Sequence, residues 1–250
     1  MTVVITVIGW SVGWRWPGIS GVALAVLLGQ LSVGWSNDAV DAADDRRAGR
    51  AEKPTVAGDL SPRTLGACAG AALAASAAAS WWVAGPVGGS FHVVAVLLAW
   101  AYNAGLSRTV WSWVPYALAF ACVPPFLTIG LDGAAPPAWL VAVFAIVGVS
   151  AHLANALPDV ESDRAAGLGG AVVRWGPRTS ARLAWLLLAA ATVVLALVAA
   201  SRSWLLLAWV VVGYVVARTY AARSSSPDAL FHGLLVAVAV DLVALVAAAA

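Results

Sequence analysis

Apolar residues dominate this chain in long runs, and short polar interruptions separate the runs. Nine runs can be marked, at 2–14, 18–43, 64–84, 90–107, 113–131, 136–157, 179–200, 203–222 and 228–249. Most approach the roughly 20 residues that a helix needs to cross the hydrocarbon of a bilayer. Hydrocarbon offers no water to unpaired backbone groups, so a spanning run satisfies them as a helix. The pattern predicts an all-α membrane protein of nine transmembrane helices in a single domain over residues 1–250. The first run is short for that task. Pro17, Pro62, Pro86, Pro136, Pro177 and Pro227 fall between runs, where helices are expected to end. Trp14, Trp16, Trp81, Trp82, Trp111, Trp113, Trp139 and Trp204 gather near run ends, as in an aromatic belt at the two interfaces.

Composition supports the membrane assignment. The chain is 62% hydrophobic and 10% charged, with mean hydropathy +0.89, whereas a soluble domain averages about 25% charged residues. The partner this implies is the lipid bilayer; no nucleic-acid or protein partner is indicated. Cys68 and Cys122 lie in apolar runs without metal-ligand spacing and read as small buried hydrophobes. Residues 1–14 carry no basic leader region or small-residue cleavage site, so they read as a first span and not as a removable signal. Lys53 is the one lysine among 14 basic residues. With the abundance of Ala and Val, this reads as codon bias of a high-GC bacterial genome.

Charge distribution adds an orientation. The connections after runs 2, 4, 6 and 8, with adjoining helix ends, hold every Lys and Arg except Arg15 and Arg202. The positive-inside rule places these connections in the cytoplasm, with the N-terminus inside and the C-terminus outside.

Two acidic clusters stand on that same side. The first is Asn37-Asp38-Ala39-Val40-Asp41-Ala42-Ala43-Asp44-Asp45, and the second runs from Asp159 through Glu161 and Asp163 to Gly167. Asn37, Asp41 and Asp45 are spaced i, i+4, i+8 and share one helical stripe, with Asp38 at its edge. Asn155, Asp159 and Asp163 repeat the spacing, with His152 on the same face and Pro158 expected to bend or break the helix. Glu161 points away and is left out of the site. Charge at membrane depth is expensive and marks sites or ion paths. Facing carboxylates need a counter-charge. Oxygen ligands suit magnesium, which commonly shares them with phosphates. Arg47, Lys53, Arg108, Arg174 and Arg178 in the adjoining loops are candidates to hold phosphate oxygens. The two long polar loops, 45–63 and 164–178, each follow a cluster in the manner of active-site lids.

At this point the residues resemble a known pattern. Asn37-Asp38-x-x-Asp41-x-x-x-Asp45 is similar to the first aspartate motif of the UbiA superfamily of intramembrane prenyltransferases, and Asp159-x-x-x-Asp163-x-x-x-Gly167 to its second. Lys53-Pro54 with Gly58 resembles the basic stretch after the first motif. Tyr102-Asn103 with Arg108 resembles the segment between the motifs, with Arg in place of the commoner Lys. The resemblance implies a ring of nine helices around a central cavity. It implies Mg2+ held by Asp38, Asp41, Asp45, Asp159 and Asp163. A prenyl diphosphate would be bound by Asn37, Lys53, Tyr102, Asn103, Arg108, Asn155 and Arg178. The expected activity is transfer of the prenyl group to an aromatic or lipophilic acceptor, at a site on the cytoplasmic side of a bacterial cell membrane. A terpene cyclase or a phosphoribosyl-diphosphate-using transferase of the same fold would use the same motifs. A cation transporter would need polar residues continuing across the membrane, and the runs at 64–84 and 179–200 carry almost none.

Overall fold

The computed structural model describes residues 1–165, 167–201 and 203–223, together with His232, Gly233, Val236, Ala237 and Val240. Among these residues all regular structure is helical. In chain order the α-helices are α1 (Thr2–Ser11), α2 (Gly18–Val40), α3 (Ala42–Ala48), α4 (Pro54–Ala57), α5 (Pro62–Asn103) and, after a 3-10 turn at Leu106–Arg108, α6 (Trp113–Ala121). They continue as α7 (Val123–Asp132), α8 (Ala138–Asn155), α9 (Val160–Ala165), α10 (Ala171–Trp175), α11 (Pro177–Ala200) and α12 (Trp204–Arg223). Among the described residues, six stretches are long and apolar enough to cross a membrane: α2, α5, α6 with α7, α8, α11 and α12. The protein is a multi-pass membrane protein.

The runs at 64–84 and 90–107 both fall in α5, yet they are two legs of a hairpin. Gly85, at φ 68° and ψ 175°, leaves helical space, and Pro86 follows without an N–H to continue the ladder. Beyond this point the chain doubles back. Ser80 Oγ lies 2.7 Å from His92 Nδ1, and Trp81 Nε1 donates to Ser90 Oγ at 3.1 Å. In a straight helix, residues twelve apart would be separated by about 18 Å. Eight of the nine expected runs are thus helical, although α1 has only 10 residues. The ninth, 228–249, lies outside the described residues apart from five positions, as do Asp241 and Arg202.

The chain divides into two compact units. The first comprises Met1–Ser107 and Cys122–Pro136, and the second Arg108–Ala121 and Pro137–Ala250. In the first unit, α2 packs along the α5 hairpin through small and polar side chains. Ser76 Oγ donates to the Ala25 carbonyl at 2.9 Å, and Trp100 Nε1 to Ser32 Oγ at 2.8 Å. His92 stacks on Phe126 of α7 with ring centroids 4.8 Å apart. Apolar tails of lipid supply no hydrophobic drive between helices, so close approach of small residues and interhelical hydrogen bonds hold them together. Trp14 is buried here and donates to the Leu127 carbonyl at 2.9 Å, so it is a packing residue and not part of the aromatic belt. Trp16, Trp81, Trp82, Trp111, Trp139 and Trp204 are exposed. Cys68 is exposed as well, against the expectation of burial, because it lies on the face of α5 turned away from its neighbours.

In the second unit, Gly148 lets α8 approach α6: a Cβ there would sit 2.5 Å from the Tyr116 carbonyl oxygen. Ser150 Oγ donates to the Ala184 carbonyl and ties α8 to α11. The core gathers Leu153, Val160, Val172, Trp185, Leu188 and Ala217 from α8 through α12. Val160 and Val172 are the apolar pins that seat the segment bearing the second acidic cluster.

Candidate functional site

The first acidic cluster sits at the end of α2. The helix formally stops at Val40, but Asp41 N–H still bonds the Asn37 carbonyl and Asp45 N–H the Asp41 carbonyl, at 2.9 and 2.8 Å. The stripe read from the i, i+4 spacing is therefore present, with a slight turn at Asp41. Asn37 Nδ2 donates to Asp41 Oδ2 at 2.7 Å, which orients that carboxylate. Lys53 Nζ lies 2.5 Å from Asp38 Oδ1. Arg50 Nη1 donates to Asp45 Oδ1 at 3.1 Å, and Arg47 pairs with Asp44. Asp45 is 2% exposed, and its Oδ2 is buried with no hydrogen-bond partner.

The second cluster is built differently from its spacing. α8 ends at Asn155, and a turn through Pro158 intervenes before α9 begins at Val160. Asn155 and Asp159 therefore do not share a continuous helix, because Pro158 cannot supply the N–H that would carry it on. Asp159 and Asp163 do keep one turn, with Asp163 N–H bonded to the Asp159 carbonyl at 2.8 Å. Asn155 and Asp159 are exposed, Asp163 is half-buried, and Glu161 pairs outward with Arg164.

The two clusters close on the same backbone turn. Gly49 (φ 69°) follows α3 and Gly167 (φ 71°) follows α9. In each, the residue after the glycine donates back to the aspartate four residues before it: Arg50 N–H to Asp45 at 3.1 Å, and Leu168 N–H to Asp163 at 2.8 Å. This is the Schellman closure, which needs a left-handed residue and so favours glycine. Asp-x-x-x-Asp-x-x-x-Gly thus occurs twice as a folded unit.

Of the remaining candidates, Asn103 is buried at the end of α5, and its amide donates to the Val33 carbonyl at 3.0 Å and to Ser36 Oγ at 2.7 Å. It braces the turn of α2 that precedes Asn37. Tyr102 is half-buried beside it. Arg108 closes the 3-10 turn, and a Cβ on Gly169 would lie 3.2 Å from the Arg108 carbonyl, so these two loops of the second unit are in close approach. Arg178 is exposed in the first turn of α11, and Arg174 Nε donates to the Gly169 carbonyl at 3.0 Å. His152 is buried and not on an open face. Its Nε2 lies 3.0 Å from Ser112 Oγ, which also accepts the Ala171 N–H. Sequence reasoning missed Arg50, Ser36 and Ser112. Arg50 was legible in principle as the residue after the glycine of the first motif; the two serines make contacts that no local pattern announces.

Among the described residues, no three Asp, Glu, His or Cys side chains converge as a ligand group. Asp38 and Asp45 are instead held by Lys53 and Arg50. The donors available are all hard carboxylate oxygens, and the unpartnered Asp45 Oδ2 can accept a cation, so the first cluster fits a magnesium ion.

A family model described as the UbiA prenyltransferase family matches residues 1–236. The chain belongs to that family. Solved structures of UbiA homologues share its fold. One from Archaeoglobus fulgidus, bound to GPP and Mg2+, superposes with a TM-score of 0.68 at 18% identity, covering 98% of this chain and 95% of its own. An apo homologue from Aeropyrum pernix K1 gives 0.74 at 16% identity, with coverages of 95% and 94%. A structure concerned with digeranylgeranylglyceryl phosphate synthase gives 0.69 at 13% identity, with coverages of 99% and 91%. A search of curated proteins finds no match. The duplicated Asp–Gly turn of this UbiA chain stands in a fold shared with a homologue whose structure holds GPP and Mg2+.

Proposed function

We propose that the protein transfers the prenyl group of a prenyl diphosphate to an aromatic or other lipophilic acceptor, with Mg2+ as cofactor, at the cytoplasmic face of a bacterial cell membrane. The observation that carries this reading is the duplicated Asp-x-x-x-Asp-x-x-x-Gly turn in a UbiA-family chain. Homologues of the same fold were solved with GPP or DMAPP and Mg2+.

Asp38, Asp41 and Asp45 of the first motif, and Asp159 and Asp163 of the second, would hold magnesium. When bound, the ion neutralises charge that develops on the departing diphosphate as the carbon–oxygen bond breaks. The chain's own groups do the rest. Asn37 fixes the rotamer of Asp41 through its amide. Lys53, Arg108 and Arg178 donate charge-assisted hydrogen bonds to diphosphate oxygens. Tyr102 and Asn155 line the polar end, and Asn103 braces the helix that presents the first motif. Loss of diphosphate with the bonding electron pair would leave an allylic cation on the prenyl group. Apolar side chains of the spans would surround the tail and keep out the water that would quench the cation.

The test is incubation of purified protein with magnesium and a panel of prenyl diphosphates, with and without lipophilic acceptors. Acceptor-dependent release of diphosphate is the expected result. Cyclised product without acceptor would assign a terpene cyclase instead.

A further inference from the structure

The two Asp–Gly turns share a backbone and differ in the side chain that follows the glycine. The second has Leu168 there; the first has Arg50. Arg50 returns twice to Asp45, through its backbone N–H to the carbonyl and through Nη1 to Oδ1, both at 3.1 Å. Lys53 N–H bonds the Arg50 carbonyl at 3.1 Å, so one short turn presents both cations. Lys53 then reaches Asp38. The outer carboxylates of the first motif are thus each covered by a cation from the loop that follows them.

The pairs are unequal in a telling way. Asp45 is 2% exposed, while Arg50 is 44% exposed. A buried carboxylate needs a counter-charge, and removing it leaves an uncompensated ion. Asp45 also keeps Oδ2 buried and unpartnered, open to a second cation. A divalent ion on these carboxylates competes with Arg50 and Lys53 for the same negative charge. A diphosphate arriving with it offers both displaced cations new acceptors of higher charge.

We propose that Arg50 and Lys53 are exchangeable counter-ions of the first motif. They neutralise Asp45 and Asp38 while the site is empty, and they move to diphosphate oxygens when metal and substrate bind. Arg50 becomes a substrate-positioning residue, and the 49–53 turn is drawn onto the diphosphate by the exchange. This rests on the magnesium and prenyl-diphosphate reading above and extends it.

The exchange predicts effects of opposite sign from one substitution. Magnesium alone should bind substrate-free Lys53→Gln more tightly than the unaltered protein, by roughly two- to fivefold, because a partly exposed competing ion pair is gone. The same variant should bind magnesium with inorganic diphosphate more weakly, by roughly tenfold or more, having lost a charge-assisted bond. Arg50→Gln should melt lower than the unaltered protein and regain more of its melting temperature on adding magnesium, since the ion replaces the missing partner of Asp45. Arg50→Lys, which keeps the charge, should lie between the two. Calorimetric titration and thermal unfolding in detergent read all of these without turnover. Unchanged or weaker magnesium binding by Lys53→Gln overturns the proposal, and so does unchanged diphosphate binding. Asp41→Asn separates the two levels: if it binds magnesium as well as the unaltered protein, the metal assignment itself fails.

Discussion

Asn103 Nδ2 donates to Ser36 Oγ across the α2–α5 interface at 2.7 Å, and to the Val33 carbonyl at 3.0 Å. The contact lies one residue before Asn37, so the end of α5 sets the rotation of the helix that presents the first acidic motif. Losing two such bonds costs about 1–3 kcal/mol in total. Asn103→Ala should lower thermal stability by that order in detergent, and Ser36→Ala by less. In a double-mutant cycle the two changes should fail to add, because they share one bond. Full additivity would leave Asn103 as an unrelated packing residue.

Turnover should depend on magnesium and on both motifs. A chelator should abolish it, and Asp41→Ala or Asp163→Ala should each cost more than about a hundredfold, since even outer partners of metal ligands cost roughly ten- to a hundredfold. Glu161→Ala is the control: this side chain is 81% exposed and pairs outward with Arg164, so its rate should stay near that of the unaltered protein. A fully active Asp163→Ala would remove the second motif from the site.

Arg108 separates phosphate grip from metal binding. A charge-assisted hydrogen bond to phosphate contributes about 1.5–3 kcal/mol, so Arg108→Ala should reduce kcat/KM for a short prenyl diphosphate roughly ten- to a hundredfold, at about 1.4 kcal/mol per decade. Magnesium affinity without substrate should hardly move, in contrast to Lys53→Gln. Unchanged kinetics would leave Arg108 as a topology signal only.

Topology follows from the same charges. Arg46, Arg47, Arg50, Lys53 and Arg63 follow α2, while Arg15 lies between α1 and α2. The N-terminus and both acidic motifs should therefore face the cytoplasm. A thiol-reactive, membrane-impermeant reagent should label a cysteine introduced at Glu52 only after cells are opened. Labelling of intact cells would invert the orientation.

The sequence alone determined the membrane-spanning helical architecture, the two aspartate motifs and the family resemblance. These are local properties: hydropathy over about 20 residues, and carboxylates at one-turn spacing. The helix end at Pro86 was also marked, because proline acts through its own backbone; the part of Gly85 in the reversal came only with the structure. Pro158 was marked as a bend or break in the same way, and it interrupts the stripe from Asn155 to Asp163. The tertiary structure decided what depends on neighbours distant in the chain. Trp14 turned inward because the Leu127 carbonyl, far along the chain, was there to accept its N–H. His152 was drawn into the interior because Ser112 and Ala171 meet beside it. Asp45 and Asp38 acquired Arg50 and Lys53 as partners because the Gly49 turn folds the loop back over the motif. Periodicity places a side chain on a face; only the folded chain says which charge waits opposite it, since an electrostatic contact depends on separation in space and not along the sequence.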